Sequence, residues 1–75
     1  MSYQIFIIHN NKTLVINCNI YDNIDHIIMK IRKKINISYG YPYLNYNSKA
    51  LSSAKTLNYY NIGSNSTLFL HFRMN

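Results

Sequence analysis

The sequence predicts an α+β domain, with one amphipathic helix lying across one face of a sheet of about five short strands. Three observations carry this. Ile24, Ile27, Ile28, Ile31 and Ile35 recur at helical spacing between Asn23 and Ile35, opposite Asp25, His26, Lys30, Arg32, Lys33 and Lys34. Stretches rich in β-branched and aromatic residues on either side alternate with a period of two. The 75 residues make a single domain, 1–75. A chain this short buries only about 60% of its unfolded surface, so the isoleucine stripe must be covered efficiently.

Tyr3 to His9 (YQIFIIH) reads as the first strand, with Tyr3, Ile5 and Ile7 on one face and Gln4, Phe6 and Ile8 on the other. Asn10 and Asn11 both tolerate positive φ and predict a two-residue hairpin turn. Lys12 to Asn19 returns as the second strand, where Leu14, Ile16 and Cys18 alternate with Val15, Asn17 and Asn19. The helix spans Asn23 to Ile35. Asn23 suits its N-cap, Asp22 and Asp25 lie at the positive end of the dipole, and Lys33 and Lys34 at the negative end. Asn36 suits the left-handed residue that would end it.

Ile37 to Pro42 is a turn-rich connector in which Tyr39 and Tyr41 flank Gly40. Tyr43 to Asn47 is a short third strand, Asn47-Ser48 a tight turn, and Lys49 to Leu51 a brief edge strand. Ser52 to Lys55 is a polar loop, and Thr56 caps one turn through Tyr59. Gly63 to Ser66 turns into the last strand, Thr67 to Arg73, with Leu68, Leu70 and Phe72 on one face. Thr67, Phe69, His71 and Arg73 form the other. Periodicity leaves the strand order open.

Cys18 is the only cysteine, which excludes an internal disulfide and a cysteine-based metal cluster. No apolar run approaches the roughly 20 residues that span a bilayer, and the N-terminus lacks a signal-peptide pattern. The expectation is a soluble monomer of the cytoplasm or nucleus, away from membranes. The net charge of +6 favours an acidic protein or nucleic acid as partner. Richness in Asn, Ile, Tyr and Lys also follows from AT-rich coding, so a single Asn or Lys means little.

An enzyme needs a constellation of groups, and the sequence offers none. The two carboxylates, Asp22 and Asp25, are explained by the helix start. His9, His26 and His71 lie on three elements at no metal-binding spacing, and read as surface histidines. Cys18 alternates with core positions and reads as a buried, inert thiol. There is no phosphate-binding glycine loop. No catalytic residue, metal or cofactor is therefore expected. Lys30, Arg32, Lys33 and Lys34 read as a solvated helix face, with a nucleic-acid footprint as the alternative.

The residues resemble the ubiquitin family over nearly the whole chain: Gln4-Ile5-Phe6, Lys12-Thr13, Asp22 and Ile24, Lys30-Ile31, then Leu44, Lys49 and Leu51. The run Lys55 to Leu70 (KTLNYYNIGSNSTLFL) is the most specific part, and Arg73 ends the series. The resemblance implies the β-grasp fold, a mixed sheet with its first and last strands parallel neighbours around the helix. It also implies that the Tyr60 hydroxyl pins the loop near Ser52.

Several departures bear on function. Family members that are conjugated end in two glycines, whereas this sequence closes Arg73-Met74-Asn75. The family's aliphatic recognition patch becomes polar near Asn10, at Asn45 and at His71, with Tyr43, Lys49, Phe69 and Arg73 around it. A buried family lysine is replaced by Ile28, facing Ser53. Ile8, Ile28 and Ser64 stand at three of the lysines used for chain building, while Lys12, Lys30, Lys34 and Lys49 keep the others. The expectation is a non-catalytic, non-conjugated protein-interaction module. Its partner would dock on Tyr43, Asn45, Lys49, Phe69, His71 and Arg73, burying Tyr43 and Phe69 while Lys49 and Arg73 steer acidic groups. Two alternatives stay open: a modifier whose glycines lie beyond residue 75, and a basic domain that binds RNA or DNA through sheet aromatics and helix lysines.

Overall fold

The computed structural model describes residues 2–37 and 40–73. Strand β1 (Ser2–His9) and strand β2 (Lys12–Asn19) form a hairpin in full antiparallel register, from Ser2 opposite Asn19 to His9 opposite Lys12. Its turn is closed by Asn10 and Asn11 at φ of 50° and 62°. Asparagine tolerates this region, and two such residues match the twist of the flanking strands.

Helix α1 (Ile24–Lys34) follows. The Asn23 side chain accepts the His26 N–H at 2.8 Å, as an N-cap should. Two further donors at this end go to the loop after residue 50: Ile24 N–H to the Lys55 carbonyl (2.8 Å) and Asp25 N–H to that of Ser53 (3.1 Å). The positive end of the helix is thus closed by the protein itself.

The other end differs from expectation. The helix stops at Lys34, and the residue that leaves it is Ile35, in an extended conformation (φ −131°, ψ 153°). Asn36 is not left-handed. The Ile35 side chain packs against the core, and its N–H still bonds the Ile31 carbonyl at 3.0 Å.

Strand β3 (Tyr41–Tyr46) begins two residues earlier than the sequence suggested, so Tyr41 is a strand residue and Pro42 lies within the strand. Tyr39 falls outside the described residues. Asn47 and Ser48, at φ of 51° and 64°, turn the chain into strand β4 (Lys49–Ala50). Residues 51–66 form a string of turns. The Tyr59 N–H is capped by Thr56 Oγ1 at 3.1 Å, and the Tyr60 hydroxyl accepts the Ser52 N–H at 2.7 Å. That last contact is the one the resemblance implied. Strand β5 (Thr67–Arg73) closes the fold.

The sheet order is β2-β1-β5-β3-β4, mixed, with β1 and β5 parallel at its centre. One helix against this five-stranded sheet is a β-grasp-like α+β arrangement. Between the two layers, Ile5, Ile7, Ile16, Leu44 and Leu68 are fully buried against Ile24, Ile27 and Ile31. Each such side chain contributes about 1.5–3 kcal/mol relative to exposure. The helix therefore covers one sheet face, and the other face remains open. No helix among the described residues is long and apolar enough to cross a membrane.

Candidate interaction surface

The open face is built by strand alternation. Opposite the buried Leu68 and Leu70, strand β5 presents Thr67, Phe69, His71 and Arg73 outward. On β3, Leu44 points to the core, and Tyr43 and Asn45 point out. The strand register lines these residues up. One row crosses all five strands: Thr13, Ile8, Phe69, Asn45 and Ala50. The next row is Val15, Phe6 and Thr67, and on the other side Tyr43 stands opposite His71.

Phe69 sits near the centre of this face and is 48% exposed. Val15 is 42% exposed, and Phe6 and Ile8 are half-buried. Together they make an apolar strip over three adjacent strands. Beside it the Tyr43 ring is half-buried, 5.5 Å from the His71 ring and under the Arg73 guanidinium, whose Cζ lies 4.7 Å from the ring centre. The Asn45 Oδ1 is buried with no hydrogen-bond partner among the described residues. A buried acceptor without a donor costs about 1–3 kcal/mol, so Asn45 weakens the fold beneath this face.

Five of the six residues expected on the docking face share it. Lys49 does not. Its cross-strand neighbour is Tyr46, which alternates with Asn45 and packs toward the core. Lys49 accordingly lines a separate groove with Tyr46, Leu51, Tyr59 and Tyr60, and Ala50 takes the position beside Asn45. Arg73 also differs from a freely steering cation, since its guanidinium is placed on Tyr43.

The sequence sets Phe6 and Ile8 on one face of the first strand and Val15 on one face of the second without joining them to the docking face. The signal was present: three large apolar residues at outward parity on a hairpin. What was missing was the parallel pairing that brings Ile8 beside Phe69. The histidines change similarly. His9 and His71, distant in sequence, line one open groove of about 590 Å³ together with Phe69 and Phe72. The His9 ring meets Phe72 edge-on at 5.3 Å, and its Nε2 lies 3.3 Å from Asn10 Nδ2. Among the described residues no three His, Cys, Asp or Glu come together as metal ligands.

The basic residues lie elsewhere. Lys30, Lys33 and Lys34 line a groove of about 420 Å³ with Ile16 and Asn17, between α1 and β2, on the helix side of the sheet. Arg32 is exposed on the same helix. The sheet thus stands between the lysines and the outer aromatics, and the two groups cannot grip one short ligand together. Asp22 closes the β2–α1 turn rather than capping the helix: its Oδ2 accepts the Asn19 N–H at 2.9 Å and lies 3.5 Å from Lys30 Nζ. Cys18 is buried. Desolvation by that burial, followed by the nearby Asp22 charge, pushes its thiol up to about 11, which keeps it out of thiolate chemistry at neutral pH.

Comparison with protein-family models and with curated proteins yields no match to this sequence.

Proposed function

We propose that this domain is a ubiquitin-like, non-catalytic protein-interaction module whose partner docks on the open sheet face. The observation that carries the reading is the contiguous strip of Val15, Phe6, Ile8 and Phe69 on the open face. A docking partner would cover Phe69 with an apolar side chain and bring a carboxylate to Arg73. An acidic protein suits this best, because the chain carries +6 overall and both its carboxylates sit at the start of the helix. Large apolar residues gathered on an otherwise solvated face are the usual mark of a contact surface. The module acts as a monomer in the cytoplasm or nucleus, where a lone buried cysteine stays reduced.

The test is a comparison of proteins captured by the wild-type domain with those captured by the double variant Phe69→Ala, Arg73→Glu. The variant should lose a defined set of captured proteins while its circular dichroism spectrum and melting temperature stay near wild type. Unchanged capture by a folded double variant would place the docking surface elsewhere.

A further inference from the structure

The structure holds a second candidate site that the sheet face does not explain. Strand β2 is an edge of the sheet. The carbonyl of Asn17 accepts a hydrogen bond from Lys30 Nζ at 2.7 Å, so the Asn17 backbone faces away from β1. In an antiparallel ladder both polar groups of a residue point to the same side, so the Asn17 N–H also faces outward. Across from it, Lys30, Lys33 and Lys34 are spaced i, i+3, i+4 and gather on one side of the helix. The groove they line offers backbone and ammonium donors together. Among the described residues, only Lys30 has a carboxylate nearby, Asp22 at 3.5 Å.

We propose that this groove binds the phosphate backbone of nucleic acid, without reading bases. Two features favour phosphate over an acidic polypeptide. The apolar residue at the groove, Ile16, is fully buried, so the apolar surface there is lysine stem and no exposed apolar side chain offers a peptide an anchor. An added peptide strand would also need the Asn17 carbonyl as acceptor, and Lys30 already occupies it. The three ammonium groups and the outward Asn17 N–H make a donor set that suits a repeating anionic backbone. Among the described residues no aromatic ring lines the groove, and the exposed aromatics of the sheet are on its other face. Base stacking is therefore absent, and the binding is salt-dependent and indifferent to sequence.

The experiment titrates a fluorescein-labelled 16-base-pair DNA duplex with the full chain from 25 to 200 mM salt. The wild type should show a plot of log affinity against log salt with a slope of about −2 to −3, as expected for contact with about three phosphates. Lys33→Glu with Lys34→Glu should weaken binding by at least about tenfold at 50 mM salt and flatten the slope by about two. Lys33→Gln with Lys34→Gln, gentler on the helix end, should show a smaller loss in the same direction. A charge-matched control, Lys49→Glu with Lys55→Glu, should stay within about threefold, and Phe69→Ala should leave duplex binding unchanged. That last variant separates this site from the sheet face, whose own test is loss of captured protein. Equal losses in the charge-matched control would mean a general positive field and no site. Displacement of the duplex by poly-glutamate as readily as by unlabelled duplex would overturn the assignment in favour of an acidic polypeptide.

Discussion

The Arg73 guanidinium lies 4.7 Å above the ring of Tyr43, one strand away, and the same ring meets His71 at 5.5 Å. Three residues that alternation points outward from β3 and β5 are thereby packed on one another. An exposed arginine stem and an exposed tyrosine each lose rotamer freedom when they order, so the pair holds its shape before any partner arrives. Preorganisation of this kind lowers the ordering cost of association.

The coupling between these two side chains is measurable. A double-mutant cycle of Tyr43→Leu and Arg73→Gln, read by urea denaturation, should give an interaction energy of about 0.5–1 kcal/mol. A cycle that closes at zero would show that the guanidinium is loose and that Tyr43 owes its partial burial to its other neighbours.

Asn45 invites the opposite experiment. Its Oδ1 is buried without a partner, in a row between Phe69 and Ala50. Asn45→Val removes the unpaired carbonyl and places a β-branched residue in a strand interior. Stability should rise by about 1 kcal/mol. Capture of a partner on the sheet face should stay near wild type, because the buried Oδ1 is not part of the contact surface.

Much of this architecture was legible in the residues, for reasons that are local. The Asn10-Asn11 and Asn47-Ser48 turns, the Asn23 cap and the full span of β5 follow from φ tolerance, capping chemistry and alternation, each acting over a few residues. Ile35 keeps the core-facing place the isoleucine stripe gives it but lies one residue past the helix, in an extended conformation that helical spacing does not read. The start of β3 was missed because Tyr41 and Pro42 are held by pairing with Arg73 and Phe72, some thirty residues away. The same limit governs the candidate sites. Phe69 and Asn45 could be set on one face by parity, but Ile8 joins them only through the parallel β1–β5 pairing. Lys49 changed sides because a two-residue strand has no periodicity to read.

Ile28 tests the core against the ionic alternative. The side chain is 7% exposed, and the neighbouring loop presents Ser53. Both carboxylates of the chain are on the helix-start side, with Asp22 already engaged by Asn19 and Lys30. Ile28→Lys would therefore bury an ammonium with no partner and should cost about 3–5 kcal/mol by urea denaturation at pH 7. Adding Ser53→Asp should recover part of that loss. If the single variant is as stable as wild type, this part of the core is open to water.

Cys18 gives the fold a pH dependence whose sign follows from its burial. Desolvation raises the thiol from its ordinary value of 9.0 to about 11, and the Asp22 charge pushes the same way against a smaller opposing effect of Lys30. The protonated form is the one the fold accommodates. Its contribution is fully present below about pH 9, where the thiol of the unfolded chain begins to ionise, and is lost as pH rises through the folded value. Urea midpoints measured from pH 8 to 11 should therefore fall more steeply for the wild type than for Cys18→Ala, which has no thiol to ionise. Comparing the two slopes removes the tyrosines and lysines that titrate in the same range, including Tyr3, whose hydroxyl is also raised by burial and donates to the Ile62 carbonyl at 2.6 Å. Parallel slopes would mean that the second strand opens enough for the thiolate to reach water. In that case a thiol reagent at pH 8 would label Cys18 faster than the protein unfolds, whereas a closed β1–β2–α1 core limits labelling to the rate of unfolding.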